Sequence, residues 1–153
     1  MVTFQENDGG RSAYFKGRAG DCVARAVAIA SGLDYKEVYD TLAEGNASQR
    51  KSKRSKKRTR SARNGIVTKR KWFKDYMTSL GFTWVPLMSI GSGCQVHLHK
   101  DELPTTGRLV LSLSRHVAAY VDGVLHDTYD CSRQGTRCVY GYWVKDETPQ
   151  AAT

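Results

Sequence analysis

The sequence predicts a single α+β domain over residues 1–153, and three observations predict it. The N-terminal half places apolar residues at helical spacing. The C-terminal half is built of short β-branched and aromatic runs separated by turn residues. Neither half contains an apolar stretch of the roughly 18 residues needed to span a membrane, and mean hydropathy is −0.52.

The elements follow in order. Met1–Gly20 reads as an extended, loop-rich lead-in with turns at Asp8-Gly9-Gly10 and at Gly17. "DCVARAVAIASG" then predicts a helix over Cys22–Ser31, with Asp21 as N-cap and Gly32 as C-cap. Between Val23 and Ala30 the one polar side chain is Arg25, so this helix is expected to be buried almost all round. "LDYKEVYDTLAEG" predicts a second helix, about Tyr35–Ala43, capped by Asp34 and ended by Gly45, with Leu33, Val38, Tyr39 and Leu42 as its apolar stripe. "KRKWFKDYMTSLGF" predicts a third, with Trp72, Phe73, Tyr76, Met77 and Leu80 inward and Gly81 as terminator. Strands follow in "FTWVPL", "GRLVLSLS", the hairpin "HVAAYVDGVLHDTYD" turning at Asp122-Gly123, and "CVYGYWVKD". A short helix is expected near Lys100–Leu103. N-terminal helices should therefore pack on a C-terminal antiparallel sheet.

Charge is concentrated in one place. The net charge is +9, and Arg50, Lys51, Lys53, Arg54, Lys56, Lys57, Arg58, Arg60 and Arg63 crowd into 14 residues with no acidic residue among them. Taking these nine from the 24 Lys and Arg leaves 15, matched by the 15 Asp and Glu, so the rest of the chain is neutral. The surrounding segment, about 46–68, has no apolar periodicity before Ile66 and reads as a flexible basic insert. Charge of this density favours phosphate contacts, hence nucleic acid or another polyanion. No aromatic lies between Gln49 and Val67, so the insert itself offers no base stacking.

Cys22 stands where a helix begins. Backbone N–H groups are unpaired there and the helix dipole is positive, which favours a thiolate and offers donors to an oxyanion. A cysteine nucleophile needs a base, and the base needs an orienting group. His116 opens one strand of the expected hairpin and Asp127 lies near the end of the other. A turn at Asp122-Gly123 sets residues near 117–118 opposite 127–128, so His116 and Asp127 become neighbours at the open end. His126 competes for the base role, but strand alternation points it to the face opposite Asp127.

This Cys–His–Asp order, with "GDC" opening a helix, "RHVAAYVDG" at a strand start and "HDTYD" about ten residues on, resembles the papain-like cysteine peptidases. Compact C39-type bacteriocin-processing peptidases are the nearest in pattern. The chain also looks like small uncharacterised phage proteins. The resemblance covers roughly Asp8–Val144 without the basic insert. It implies a papain-like α+β fold and a cysteine hydrolase: a peptidase, isopeptidase or amidase with Cys22 as nucleophile, His116 as base and Asp127 as orienter. The same machinery serves deamidases and acyl or amine transferases. Such enzymes carry an oxyanion amide shortly ahead of the cysteine. The amides available in the lead-in are Gln5 and Asn7.

The implied partner is a protein or peptide substrate, with no cofactor and no metal. Cys94, His97 and His99 have zinc-ligand chemistry, but there is no CxxC and six residues separate Cys131 from Cys138. Without a secretory leader, a reducing cytoplasm is expected, that of a host cell for a phage protein, and with it four free thiols. The alternative reading is a non-catalytic protein of the same fold that binds DNA or RNA through its basic insert. Membrane association is not expected, and the sequence says nothing of oligomeric state.

Overall fold

The computed structural model describes residues 3–15, 21–47, 66, 68–88 and 91–146. The nine cations between Arg50 and Arg63 lie outside the described residues. Among the described residues, three α-helices, α1 (Cys22–Ser31), α2 (Tyr35–Ala47) and α3 (Lys71–Ser79), accompany six strands. These are β1 (Thr3–Glu6), β2 (Phe82–Pro86), β3 (Arg108–Leu113), β4 (His116–Val121), β5 (Val124–Asp127) and β6 (Val139–Lys145). They form one sheet in the order β1-β5-β4-β3-β6-β2. The chain is thus α+β, as expected.

The sheet is mixed, not antiparallel throughout. The lead-in contributes β1, which runs parallel to β5 with Phe4 beside Leu125 and Glu6 beside Asp127. An unpaired β5 edge would expose a row of backbone groups. β1 covers it, and Phe4 packs against the apolar cluster below. The hairpin forms as predicted. Val121 faces Val124, and the two-residue turn places Asp122 at φ 48° and Gly123 at φ 81°. That is the left-handed pair a type I′ turn demands.

The core lies on both faces of the sheet. On one face α1 buries Val23, Ala24, Ala26, Val27, Ala28 and Ala30 with Val38 and Leu42 of α2, Phe73 and Met77 of α3, and Val110 and Ala119 of the sheet. The alanines keep the helix surface low, so α1 lies close on β4. On the other face Leu109, Leu111, Leu113, Tyr120 and Leu125 are covered by Leu98, Leu103 and Cys131 from long connections. β3 is therefore buried on both sides, which explains its nearly unbroken apolar run.

Three local expectations are corrected. α2 runs past Ala43 to Ala47 and takes Gly45 into the helix. Gly45 is there because the Trp72 ring lies against it, in the space a Cβ would occupy. Lys100–Leu103 forms turns in place of a helix, with the Glu102 N–H donating to the His99 carbonyl. Cys94 and Cys138 form a disulfide, with Cα atoms 5.8 Å apart, so four thiols become two, Cys22 and Cys131. The bridge follows from pairing of His97 with Cys138, which lays the 94–99 segment against the start of β6.

Gly45 supplies a test of α2 packing. Within a helix interior, Gly→Ala ordinarily stabilises by up to about 1 kcal/mol. Here Gly45→Ala is expected to destabilise by about 1–3 kcal/mol through overpacking against Trp72. A urea denaturation curve with a midpoint equal to or above that of the parent contradicts this packing.

Candidate active site

The N-terminus of α1, the start of β4 and the end of β5 converge. α1 begins because "CVARAVAIAS" has no breaker and ends at Gly32, which adopts φ 77°. The first helical hydrogen bond runs from the Arg25 N–H to the Asp21 carbonyl, so the helix itself leaves the N–H groups of Cys22, Val23 and Ala24 unbonded. Asp21 occupies the N-cap position, but its carboxylate makes no cap bond. That departs from the capping role expected of it. The carboxylate instead accepts from Arg11 at 3.2 Å, from Arg25 and from the Tyr35 hydroxyl, all in the interior.

The hairpin register brings His116 to Asp127. The His116 Nε2–H donates to Asp127 Oδ2 at 2.6 Å. The other carboxylate oxygen, Oδ1, accepts from the Thr128 N–H at 2.7 Å and lies 3.7 Å from Arg25 Nη2. With Nε2 occupied, Nδ1 is the ring nitrogen left for Cys22, whose thiol interacts with the imidazole and accepts from the Val117 N–H. Tyr129 tilts over the imidazole, with ring centroids 5.5 Å apart. The predicted Cys22, His116 and Asp127 thus come together from three separate elements.

The charge states are mutually reinforcing. Burial raises the Cys22 pKa, but the hydrogen bond and charge of His116, the Val117 N–H and Arg25 together hold it below the ordinary thiol value. Burial disfavours a charged His116, yet Asp127, Cys131 and Cys22 outweigh it and push its pKa up from 6.5 to about 11. Burial likewise raises Asp127, and His116 and the Thr128 N–H bring it below its ordinary value. The arrangement favours thiolate, imidazolium and carboxylate.

The two amides expected at the oxyanion are engaged elsewhere. Gln5 is exposed on β1 and its amide donates to the Glu6 carbonyl at 3.2 Å. The Asn7 side chain lies 3.2 Å from His126 Nδ1 and accepts from the Gly9 N–H at 2.8 Å. Gln5 lies on β1, which runs along the outer edge of β5. His126 faces Asn7 and not Asp127, as alternation required. The zinc-type residues have other partners. Cys94 is in the disulfide, His97 meets Glu102 at 3.1 Å and His99 meets Asp101 at 3.6 Å.

Sequence reasoning missed three residues at this site. Arg25 ties Asp21 to Asp127, and its signal was a lone cation in an apolar helix. Tyr129 shields His116 and carried no signal. Cys131 interacts with His116 and Asp127 from the far loop, and its 2% exposure was not readable from spacing.

A cavity of about 590 Å³ opens on the helix face of the sheet. Phe73, Trp84, Tyr140 and Trp143 wall it, Lys69 and Lys74 stand among its lining, and Val117 joins it to Cys22. Among the described residues, no helix is long and apolar enough to cross a membrane.

Against known proteins, no family model, no curated protein and no solved structure matches this chain.

Proposed function

We propose that this protein is a papain-like cysteine hydrolase acting on an amide, isopeptide or related acyl bond. One observation carries the reading: Cys22, at the N-terminus of α1, meets an imidazole whose far nitrogen donates to Asp127 at 2.6 Å. In the proposed cycle the Cys22 thiolate attacks the carbonyl carbon. The oxyanion is held by the N–H groups of the first turn of α1. The His116 imidazolium gives its proton to the departing amine, leaving a thioester on Cys22. His116 then takes a proton from water as the water attacks the thioester. Asp127 keeps the ring oriented and its charge balanced throughout. The aromatic cavity beside Val117 receives an apolar part of the substrate.

The test is acyl trapping. The protein is incubated with peptide amides and isopeptides, quenched in acid, and Cys22 is examined by peptide mass spectrometry. The expected result is an acyl group on Cys22, with turnover falling by about 10⁴-fold or more in Cys22→Ala. Turnover that survives Cys22→Ala, or acylation of Cys131 in its place, overturns the reading.

The basic segment favours a second role that coexists with the first. Nine cations in 14 residues, on an otherwise neutral chain, fit sequence-independent binding to nucleic acid or another polyanion. DNA affinity should fall steeply with salt, with a log–log slope near −0.9 for each phosphate neutralised. Changing Lys53, Arg54, Lys56 and Lys57 to Gln should flatten that slope. An unchanged slope sinks this role and leaves the hydrolase reading standing.

A further inference from the structure

Cys131 is the buried nucleophilic group that the proposed cycle does not use. It lies four positions beyond Asp127, in the connection after β5, and its side chain is enclosed with Leu111 and Leu113 in the second core cluster. One coordinating atom each from His116, Asp127 and Cys131 lies within 4.8 Å of the other two. Nitrogen, carboxylate oxygen and thiolate sulfur are the donor types that zinc selects. Their charges suit it as well. A thiolate and a carboxylate neutralise a divalent cation, which a buried site requires.

The details of the cluster fit a cation at one corner of it. Asp127 spends Oδ1 on the Thr128 N–H and faces Arg25 with the same oxygen, so Oδ2 is the one directed at His116. The proton shared between Oδ2 and Nε2 sits where the cation would bind. Tetrahedral bonds of about 2.0–2.1 Å to nitrogen and oxygen would set these two atoms about 3.3 Å apart, against 2.6 Å here, a small rotation of either side chain. Three protein ligands leave a fourth position for water. Cys22 is not a member of the three-atom set.

We propose that His116, Asp127 and Cys131 form a binding site for zinc or a similar borderline-soft divalent cation. Binding releases the Cys131 thiol proton and the proton on His116 Nε2, and the metal takes their place. The site itself does not depend on the hydrolase reading.

The test uses Co²⁺ as the probe, competed off by Zn²⁺, on the disulfide-intact protein. Wild type and Cys22→Ala are expected to show the same ultraviolet thiolate-to-cobalt charge-transfer band at one equivalent. Cys131→Ser is expected to lose the band and at least about 100-fold in affinity, beyond the ~10–100-fold typical of losing a ligand's own partner. X-ray absorption of the zinc-loaded Cys22→Ala protein should count one sulfur neighbour, a readout that needs no change at Cys131. No charge-transfer band in wild type overturns the proposal. So does a band lost in Cys22→Ala but kept in Cys131→Ser, since the ligand is then Cys22. Neither failure bears on acyl trapping at Cys22, which is measured without metal.

Discussion

Replacing His116 by alanine removes the low-pH reactivity of Cys22. In the wild type, Cys22 should alkylate at a pH below the ordinary thiol pKa of 9.0, because its folded-state pKa is lowered. His116, with its pKa near 11, stays protonated across that whole range and keeps the thiolate paired. The sign follows. Below the depressed Cys22 pKa the thiol is protonated and slow. Between that value and 9.0 the wild type is ionised while an unperturbed thiol is not. Above 9.0 the advantage closes. His116→Ala removes the imidazole hydrogen bond and charge but leaves the burial that raises the pKa. The rate near pH 7 should drop by about tenfold or more, after allowing for the lower nucleophilicity of a low-pKa thiolate. Alkylation rates read cysteine by cysteine decide the matter. Cys131, whose pKa burial raises, serves as the internal control and should stay slow in both proteins. If Cys22 behaves the same with and without His116, the thiolate–imidazolium pair does not exist.

The second large effect is expected far from any substrate. Asp21→Ala should destabilise the domain by about 3–5 kcal/mol, the cost of breaking a buried ion pair by removing one partner. The Asp21 side chain is wholly buried and neutralises two guanidinium groups, Arg11 and Arg25, whose side chains are 9% and 8% exposed. It also takes the Tyr35 hydroxyl, so one deletion removes its carboxylate from three buried donors. Against a typical total of about 5–15 kcal/mol, such a loss leaves little margin. Arg25 also faces Asp127, so the same network holds the start of α1 against the end of β5. Cys22 follows Asp21 directly, and its position opposite His116 depends on this anchor. Asp40→Ala, which removes only an exposed i,i+4 pair with Lys36, should change stability little. Equal urea midpoints for the two variants would falsify the anchor role.

Much of the fold was legible because the determinants are local. α1 matched its predicted limits, since an apolar run without breakers ends at a glycine free to take φ 77°. The β4–β5 hairpin was readable from Asp122-Gly123, and the register followed from it. That register also made His116 and Asp127 neighbours, so two of the three predicted catalytic residues are placed by one turn. Gly45 misled because its reason lies 27 positions away, in the Trp72 ring that packs on it. Helix-end chemistry cannot show such a contact. β1 was missed because a four-residue strand with one buried-side residue, Phe4, has too short a period to recognise.

By itself, then, the sequence determined the α+β class, the helix start at Cys22, the hairpin that joins His116 to Asp127, and the separation of basic charge from a neutral chain. The helix start and the hairpin each rest on residues within about a dozen positions of one another. Only the tertiary structure decided the rest: the parallel docking of β1, the Cys94–Cys138 bridge, the carboxylate of Asp21 turned inward to Arg11 and Arg25, and Cys131 brought beside His116. These depend on which surfaces meet when α1 packs on the sheet and the long connections close over its other face. Burial then sets charge and pairing, and burial is a property of the folded chain, not of any segment in it.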